Sequence, residues 1–139
     1  MAAATASLKH TWGTTVKNDS GSTQLNDSYI VTGTNEENFT FQVPANSQVE
    51  VDVGSIPFAK ILSFYMVCSQ ICKVFTNAAD GTGGQVIDMS AAANKGFAWN
   101  NTLAASNPIT ANITKIYVTN LSTSSAATFK CGILLNQAV

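Results

Sequence analysis

A chain of 139 residues, 45% of them hydrophobic, is long enough for one domain with a buried core and too apolar to stay disordered. Only 11% of its residues are charged, against roughly 25% in an average soluble domain, and the net charge is -1. All seven basic residues are Lys and are offset by eight acids, so no basic field for nucleic acid arises. No apolar run reaches the length of a membrane-spanning helix, since Ile56 to Val67 is interrupted by Pro57, Lys60 and Ser63.

In chain order, the pattern is one of period-two alternation with β-branched and aromatic residues, and helical periodicity is nearly absent. Met1 to Ser7 is Ala-rich and lacks the basic and apolar regions of a secretory leader; it reads as a short extended arm, 1–7, ahead of a single domain, 8–139. Leu8 to Val16 alternates as a strand with Leu8, His10, Trp12, Thr14 and Val16 in phase. Asn18 to Ser28 reads as a loop, Ser28 to Thr32 as a short strand, and Gly33 to Glu36 as a turn. Asn38 to Val43 and Gln48 to Val53 alternate cleanly on either side of Pro44-Ala45-Asn46-Ser47, which predicts a hairpin.

Lys60 to Ser69 is predicted as a central strand with Leu62, Phe64, Met66 and Cys68 on one face, and Ile71 to Thr76 as a strand that pairs with it or follows it. Asn77 to Gly84 is a turn by composition and Val86 to Met89 a strand. Ser90 to Lys95 is the only stretch with helical propensity. Phe97 to Trp99 is a short apolar piece, Asn100 to Asn107 a loop, Ile113 to Asn120 a strand, Leu121 to Ala126 a Ser/Thr-rich turn and Thr128 to Leu135 the last strand. Short strands at this spacing predict an all-β fold, an antiparallel β-sandwich with a jelly roll as one arrangement. The expected interior draws on Trp12, Phe39, Phe41, Val49, Val51, Leu62, Phe64, Met66, Val74, Ile116, Val118, Phe129, Ile133 and Leu135.

Little in the chain points to catalysis. Cys68, Cys72 and Cys131 are odd in number and spaced C-x3-C for the first two, which suits buried free thiols better than zinc or a closed disulfide framework. His10 is the only histidine and the only base for a Ser–His or Cys–His pair; beside Trp12 on an alternating strand it reads as structural. Glu36-Glu37 and the pair Glu50 and Asp52 read as solvated turn and strand-face acids. Asp80-Gly81-Thr82-Gly83-Gly84 lacks the Gly-Lys-Ser/Thr of a phosphate loop and reads as a hairpin turn. Trp12, Trp99 and Tyr117 are the rings most able to form a sugar platform, but they are far apart in sequence and core or interface packing is the better account of them. No catalytic residue, cofactor or metal is expected.

The segment Asn107 to Asn120 carries Pro108-x-Thr110-x-x-Ile113-Thr114-x-Ile116-Tyr117-Val118-Thr119-Asn120 ahead of a final strand, Phe129 to Leu135, and Val43-Pro44-Ala45-Asn46-Ser47 lies between two alternating strands. In these features the chain, over residues 8 to 138, resembles small virion proteins of tailed bacteriophages. The resemblance implies a non-enzymatic structural role. The leading expectation is a capsid decoration, or cement, protein: made in the host cytoplasm, placed on the outer capsid surface, and bound as a trimer to the major capsid protein. The alternative is a head-fibre or tail accessory module that binds host-surface glycans. The expected partner contacts are the arm residues Ala2, Ala3, Ala4, Thr5, Ala6 and Ser7, which can add main-chain hydrogen bonds to a neighbour, together with Trp12 and Trp99. With so few charges, such contacts should depend little on salt.

Overall fold

A computed structural model describes residues 8–17, 24–82 and 84–136, with side chains at 9–11 and from 31 onward. Among them the chain forms ten strands in three antiparallel sheets: β1 (Leu8–Lys17) and β2 (Gln24–Gly33) make a two-stranded ribbon. Sheet I holds, in spatial order, β3 (Asn35–Val43), β10 (Ala127–Leu135), β5 (Ile61–Cys68) and β8 (Gly96–Asn100). Sheet II holds β4 (Gln48–Ile56), β9 (Ile113–Asn120), β6 (Cys72–Thr76) and β7 (Val86–Met89). The fold is all-β, an antiparallel sandwich, and no helix among the described residues is long and apolar enough to cross a membrane.

The pairings are nested. The innermost hairpin is β6–β7; around it β5 pairs with β8, β4 with β9 and β3 with β10. The chain is thus one long antiparallel ribbon folded over itself, stitched by the additional pairs β5–β10 and β6–β9. The inward phases of both sheets supply a single core in which Phe64, Met66, Val74, Val118, Phe129 and Ile133 are fully buried. Phe129 packs its ring 5.2 Å from that of Phe41, and Phe64 lies 5.9 Å from Phe97 and 6.3 Å from Trp99. These are separations at which aromatic pairs add to simple burial.

Several expectations need correction. The two alternating segments around Pro44 to Ser47 are not a hairpin. The turn carries the chain from sheet I to sheet II, so β3 pairs with β10 and β4 with β9. Alternation specifies which side of a strand is apolar, not which strand lies beside it. Cys72 to Thr76 likewise follows β5 into the opposite sheet. Gln24 to Ser28 belongs to a ten-residue β2 rather than a loop, and the turn at Gly33 to Glu36 shrinks to a bend at Thr34. Ser90 to Lys95 forms no helix; it is a bent loop in which Asn94 takes φ 59° and donates its N–H to the Cys68 carbonyl. The only helical turn among the described residues is a 3-10 turn at Phe58–Lys60. Of the expected core, Phe39, Phe41 and Val49 are half-buried and packed on it, while Trp12's side chain lies outside the described part. The three cysteines are core residues, as are Ile56, Ile61, Ile109 and Ile113.

Polar side chains close the connections. Asp52, Asp80, Asp88, Asn100, Asn107 and Asn120 each accept, on a side-chain oxygen, the backbone N–H two residues on, at 2.9 Å. These are Asx turns, the local geometry that competes with helix and ends strands. At Asp80 and Asp88 the same bonds hold the carboxyl below its usual range. The high Asn and Ser/Thr content therefore has a structural use within the sandwich.

Candidate functional site

Among the described residues, a side-chain cluster with the residue types of catalysis lies where the ribbon meets the outer face of sheet I. On β5 the odd positions from Ser63 onward, and on β3, β8 and β10 the even positions, face outward there. The registers Glu36↔Leu134, Leu134↔Ser63 and Ser63↔Asn100 set these four residues in one row across all four strands. Ser63, Asn100 and Leu134 are buried although they face away from the core. The ribbon covers Ser63 and Leu134: His10 on β1 reaches Ser63, and a Cβ at Gly33 on β2 would meet Leu134 Cγ at 2.7 Å. Thr34 donates its N–H to the Leu135 carbonyl at 2.9 Å, fixing the point at which β2 leaves the body.

His10 spans this row. Its Nδ1 is 2.7 Å from Ser63 Oγ and its Nε2 is 3.0 Å from Glu36 Oε1. An ionised Glu36 only accepts, so Nε2 carries a proton; in the neutral ring Nδ1 then accepts from the Ser63 hydroxyl. The chain hydroxyl–imidazole–carboxylate has the composition of an activated serine. A nucleophile must also meet its substrate, and Ser63 is completely buried beneath the ribbon at 0% exposure. As arranged, the three residues pin β1 to β5 and β3: they satisfy a buried hydroxyl and place the ring over Leu134. We expect His10→Ala to cost about 1–3 kcal/mol, because Ser63 Oγ loses its partner in a buried position. A double-mutant cycle with Ser63→Ala in urea unfolding should show coupling of about 0.5–3 kcal/mol. Additive single effects would mean that the ring does not hold the hydroxyl.

Of the expected partner residues, only Trp99 has a described side chain. Ala2 to Ser7 lie outside the described residues. Trp12 sits on β1, opposite Tyr29 in the ribbon. Trp99 is on the edge strand β8 in the inward phase, half-buried against Phe64, with its indole N–H donating to the Ala105 carbonyl at 2.8 Å. Tyr117 faces outward on sheet II, in a row Glu50–Tyr117–Phe75–Val86. Trp99 thus faces the core from sheet I and Tyr117 faces outward from sheet II, so these two rings share no face. Packing is the observed role of Trp99.

On the outer face of sheet II, Tyr117, Phe75 and Val86 form a short apolar row among the charged Glu50, Asp52, Lys73, Asp88 and Lys115. Val86 is 51% exposed, and the 77–84 turn folds toward it, since a Cβ at Gly81 would meet Val86 Cγ2 at 2.7 Å and Phe75 Cδ1 at 3.1 Å. Lys115 and Glu50 pair at 2.6 Å along the same face, which raises the Lys115 ammonium above its usual range. Both are substantially exposed, so the pair adds little to stability. Among the described residues no three His, Cys, Asp or Glu side chains gather as a metal set.

Sequence reasoning missed the Ser63–His10–Glu36 row. The three residues are 26 and 53 positions apart along the chain, and only the nested pairing brings them together. The single cue available was that a serine interrupts an otherwise apolar β5. Compared with protein-family models, curated proteins and solved structures, the chain matches none.

Proposed function

We propose that this chain is a non-enzymatic virion structural protein that binds the outer surface of a bacteriophage capsid and stabilises the shell as a trimeric decoration protein. The observation that carries this reading is the nested strand order. Eight strands lie in two four-stranded sheets, β3-β10-β5-β8 and β4-β9-β6-β7. We read that order as a jelly roll, an architecture that recurs in viral capsid domains. The link from architecture to role is one of analogy. It is strengthened by the phage-like Asn107 to Asn120 segment and by the ribbon, a two-stranded element outside the sandwich. A ribbon of this kind is marginal by itself and gains from packing on a neighbour.

The physical action is linkage. A protein that binds the assembled shell and not its dissociated subunits stabilises the shell by mass action, and many copies multiply the effect. The glycan-binding reading draws less support, because Trp99 is packed inward on sheet I while Tyr117 lies on the outer face of sheet II.

The test is co-sedimentation of the purified protein with capsids that lack it, beside a variant without residues 2–7. Wild type should pellet with the shells. The truncated chain should keep its circular dichroism spectrum and bind several-fold more weakly. Undiminished binding by the variant would remove the arm from the mechanism. No binding by wild type, with retention on a glycan array, would replace the reading by the alternative.

A further inference from the structure

The four edge strands of the sandwich differ. On one flank β7 and β8 are four and five residues long and lie close together. The loop after β8 folds back over that edge, with the Ala105 carbonyl accepting the Trp99 indole N–H and Asn101 donating to the Leu62 carbonyl at 2.9 Å. On the other flank stand β3 and β4, nine residues each and joined by the turn at 44–47.

A long uncovered edge is a template for another strand, and proteins blunt such edges with bulges, charges or proline. β4 is blunted. Its ladder with β9 shifts between Asp52 and Ile56, Gly54 takes φ 75°, and Glu50 and Asp52 stand along it. β3 is not. Residues 38–43 hold no charge and no proline, and their register with β10 is unbroken. Among the described residues no strand pairs with their other side. The apolar side chains of this flank are also incompletely covered. Phe39 and Phe41 pack on the core but are only half-buried, as are Val49 and Val53 on β4. A strand added to β3 would pair the open backbone and cover the two rings.

Residues 2–7 match that edge in length and character. They number six, as do residues 38–43, and include no charge, proline or glycine. In an extended conformation Ala2, Ala4 and Ala6 fall on one side and Ala3, Thr5 and Ser7 on the other. The alanines then suit the side of Phe39 and Phe41, and the hydroxyls suit water. The place where the arm begins selects whose edge it meets. Leu8 stands opposite Gly33 in the ribbon, and two residues on His10 reaches both Glu36 on β3 and Ser63 on β5. β1 therefore starts above the face of sheet I rather than in its plane. Turning down into its own β3 edge would use up part of the arm, whereas the edge of a neighbouring copy takes all six residues.

We infer that the edge of β3 is the docking site for the N-terminal arm of a second copy of this chain, which adds to sheet I as an extra strand. Arm and edge are different surfaces, so the contact runs head to tail and closes into a ring when repeated. Three copies make the ring of the proposed trimer; the pairing rests on that oligomer and not on the capsid.

The experiment follows the full chain by light scattering and amide hydrogen exchange over a wide range of concentration. At high concentration the mass should be a multiple of the chain mass. The amides of 38–43 should then exchange at least about tenfold more slowly than after dilution to the monomer, with the core amides of β10 unchanged. Deleting residues 2–7, or Ala4→Pro, which removes an N–H from the arm, should give a monomer with an unchanged circular dichroism spectrum. Isotope-labelled chain lacking the arm, mixed with unlabelled full chain, should regain protection at 38–43. A full chain that is monomeric throughout would overturn the pairing. So would protection at 38–43 that survives dilution to the monomer, as an arm folded on its own edge would give, or an oligomer that survives both variants. The dilution series on the full chain decides even if a variant fails to fold. No capsid is present, so the outcome is separate from that of co-sedimentation.

Discussion

Asn120→Asp will unfold at a temperature roughly 10 °C or more below wild type, corresponding to a loss of at least about 3 kcal/mol. Asn120 ends β9 at 1% exposure. Its Nδ2 donates toward three carbonyls, those of Ser125 at 2.8 Å, Val43 at 3.2 Å and Pro44 at 3.3 Å. Its Oδ1 accepts the Ser122 N–H at 2.9 Å, and its own N–H goes to the Ser47 carbonyl at 2.9 Å. One side chain thus ties together the turn between β3 and β4 and the turn between β9 and β10, at one end of the sandwich. A carboxylate has the same shape and no donor, so it sets an acceptor against three acceptors.

The pH dependence gives this prediction a sign. In Asn120→Asp the surrounding carbonyls favour the protonated acid, so its folded pKa lies above the unfolded value of about 3.9. The folded state then binds more protons than the unfolded one. Stability relative to wild type must fall as pH rises through that window and recover toward acid. Asn120→Ala removes the same bonds without adding charge and should show a pH-independent loss. Equal, pH-flat losses for Asp and Ala would mean that the amide does not face these carbonyls.

What the sequence made legible follows from how local each feature is. Period-two alternation over β3, β4, β9 and β10 reported which side of each strand is apolar, and those faces are the buried ones. The turn at Asn77 to Gly84 was legible too, because β6 and β7 pair directly across it. Partner strands were not. Val43 and Gln48 are neighbours in the chain, yet their ladder partners are Ala127 and Thr119, specified by packing between distant segments. β5 shows the same limit in another form. Its alternation was readable as an inward face at Leu62, Phe64, Met66 and Cys68, but a register shift puts Ile61 in the core opposite Leu135 and leaves Leu62 half-buried, and Ser63 on the outer face is buried as well. A strand covered on both sides loses the simple alternation, and what covers it is a ribbon from the other end of the chain.

The low charge also acquires a clearer meaning. In place of surface lysines and acids, the chain spends Asn and Asp on Asx turns and on left-handed positions. Asn46, Asn77 and Asn94 all take positive φ, a conformation Asn tolerates better than most residues. Asn77 further links its turn to β9, donating to the Asn112 carbonyl at 2.9 Å and accepting the Thr114 N–H at 2.8 Å. A sandwich whose loops are fastened in this way presents a weakly charged surface as a by-product of its turn chemistry.

Phe129→Ala is expected to cost about 3–5 kcal/mol, the range for an aromatic removed from a packed core, and to lower the unfolding temperature by roughly 10–15 °C. Phe129 is fully buried on β10, the strand that joins β3 to β5 in sheet I. It stands opposite Phe41 on one side and Cys68 on the other. Removing the ring leaves a cavity between two strands already fixed by their ladders, so the site cannot collapse to fill it. Tyr65→Ala gives the contrast: Tyr65 is 39% exposed, and its ring lies over Gly132 on the outer face, where solvent replaces it. Its loss should stay below about 1 kcal/mol. Because Phe129 reaches no outer surface, the proposed capsid role predicts that the folded variant co-sediments with shells as wild type does. A Phe129→Ala protein that melts like wild type would place the core elsewhere. One that melts early but also fails to bind while folded would show that the binding surface depends on the inward packing of β10.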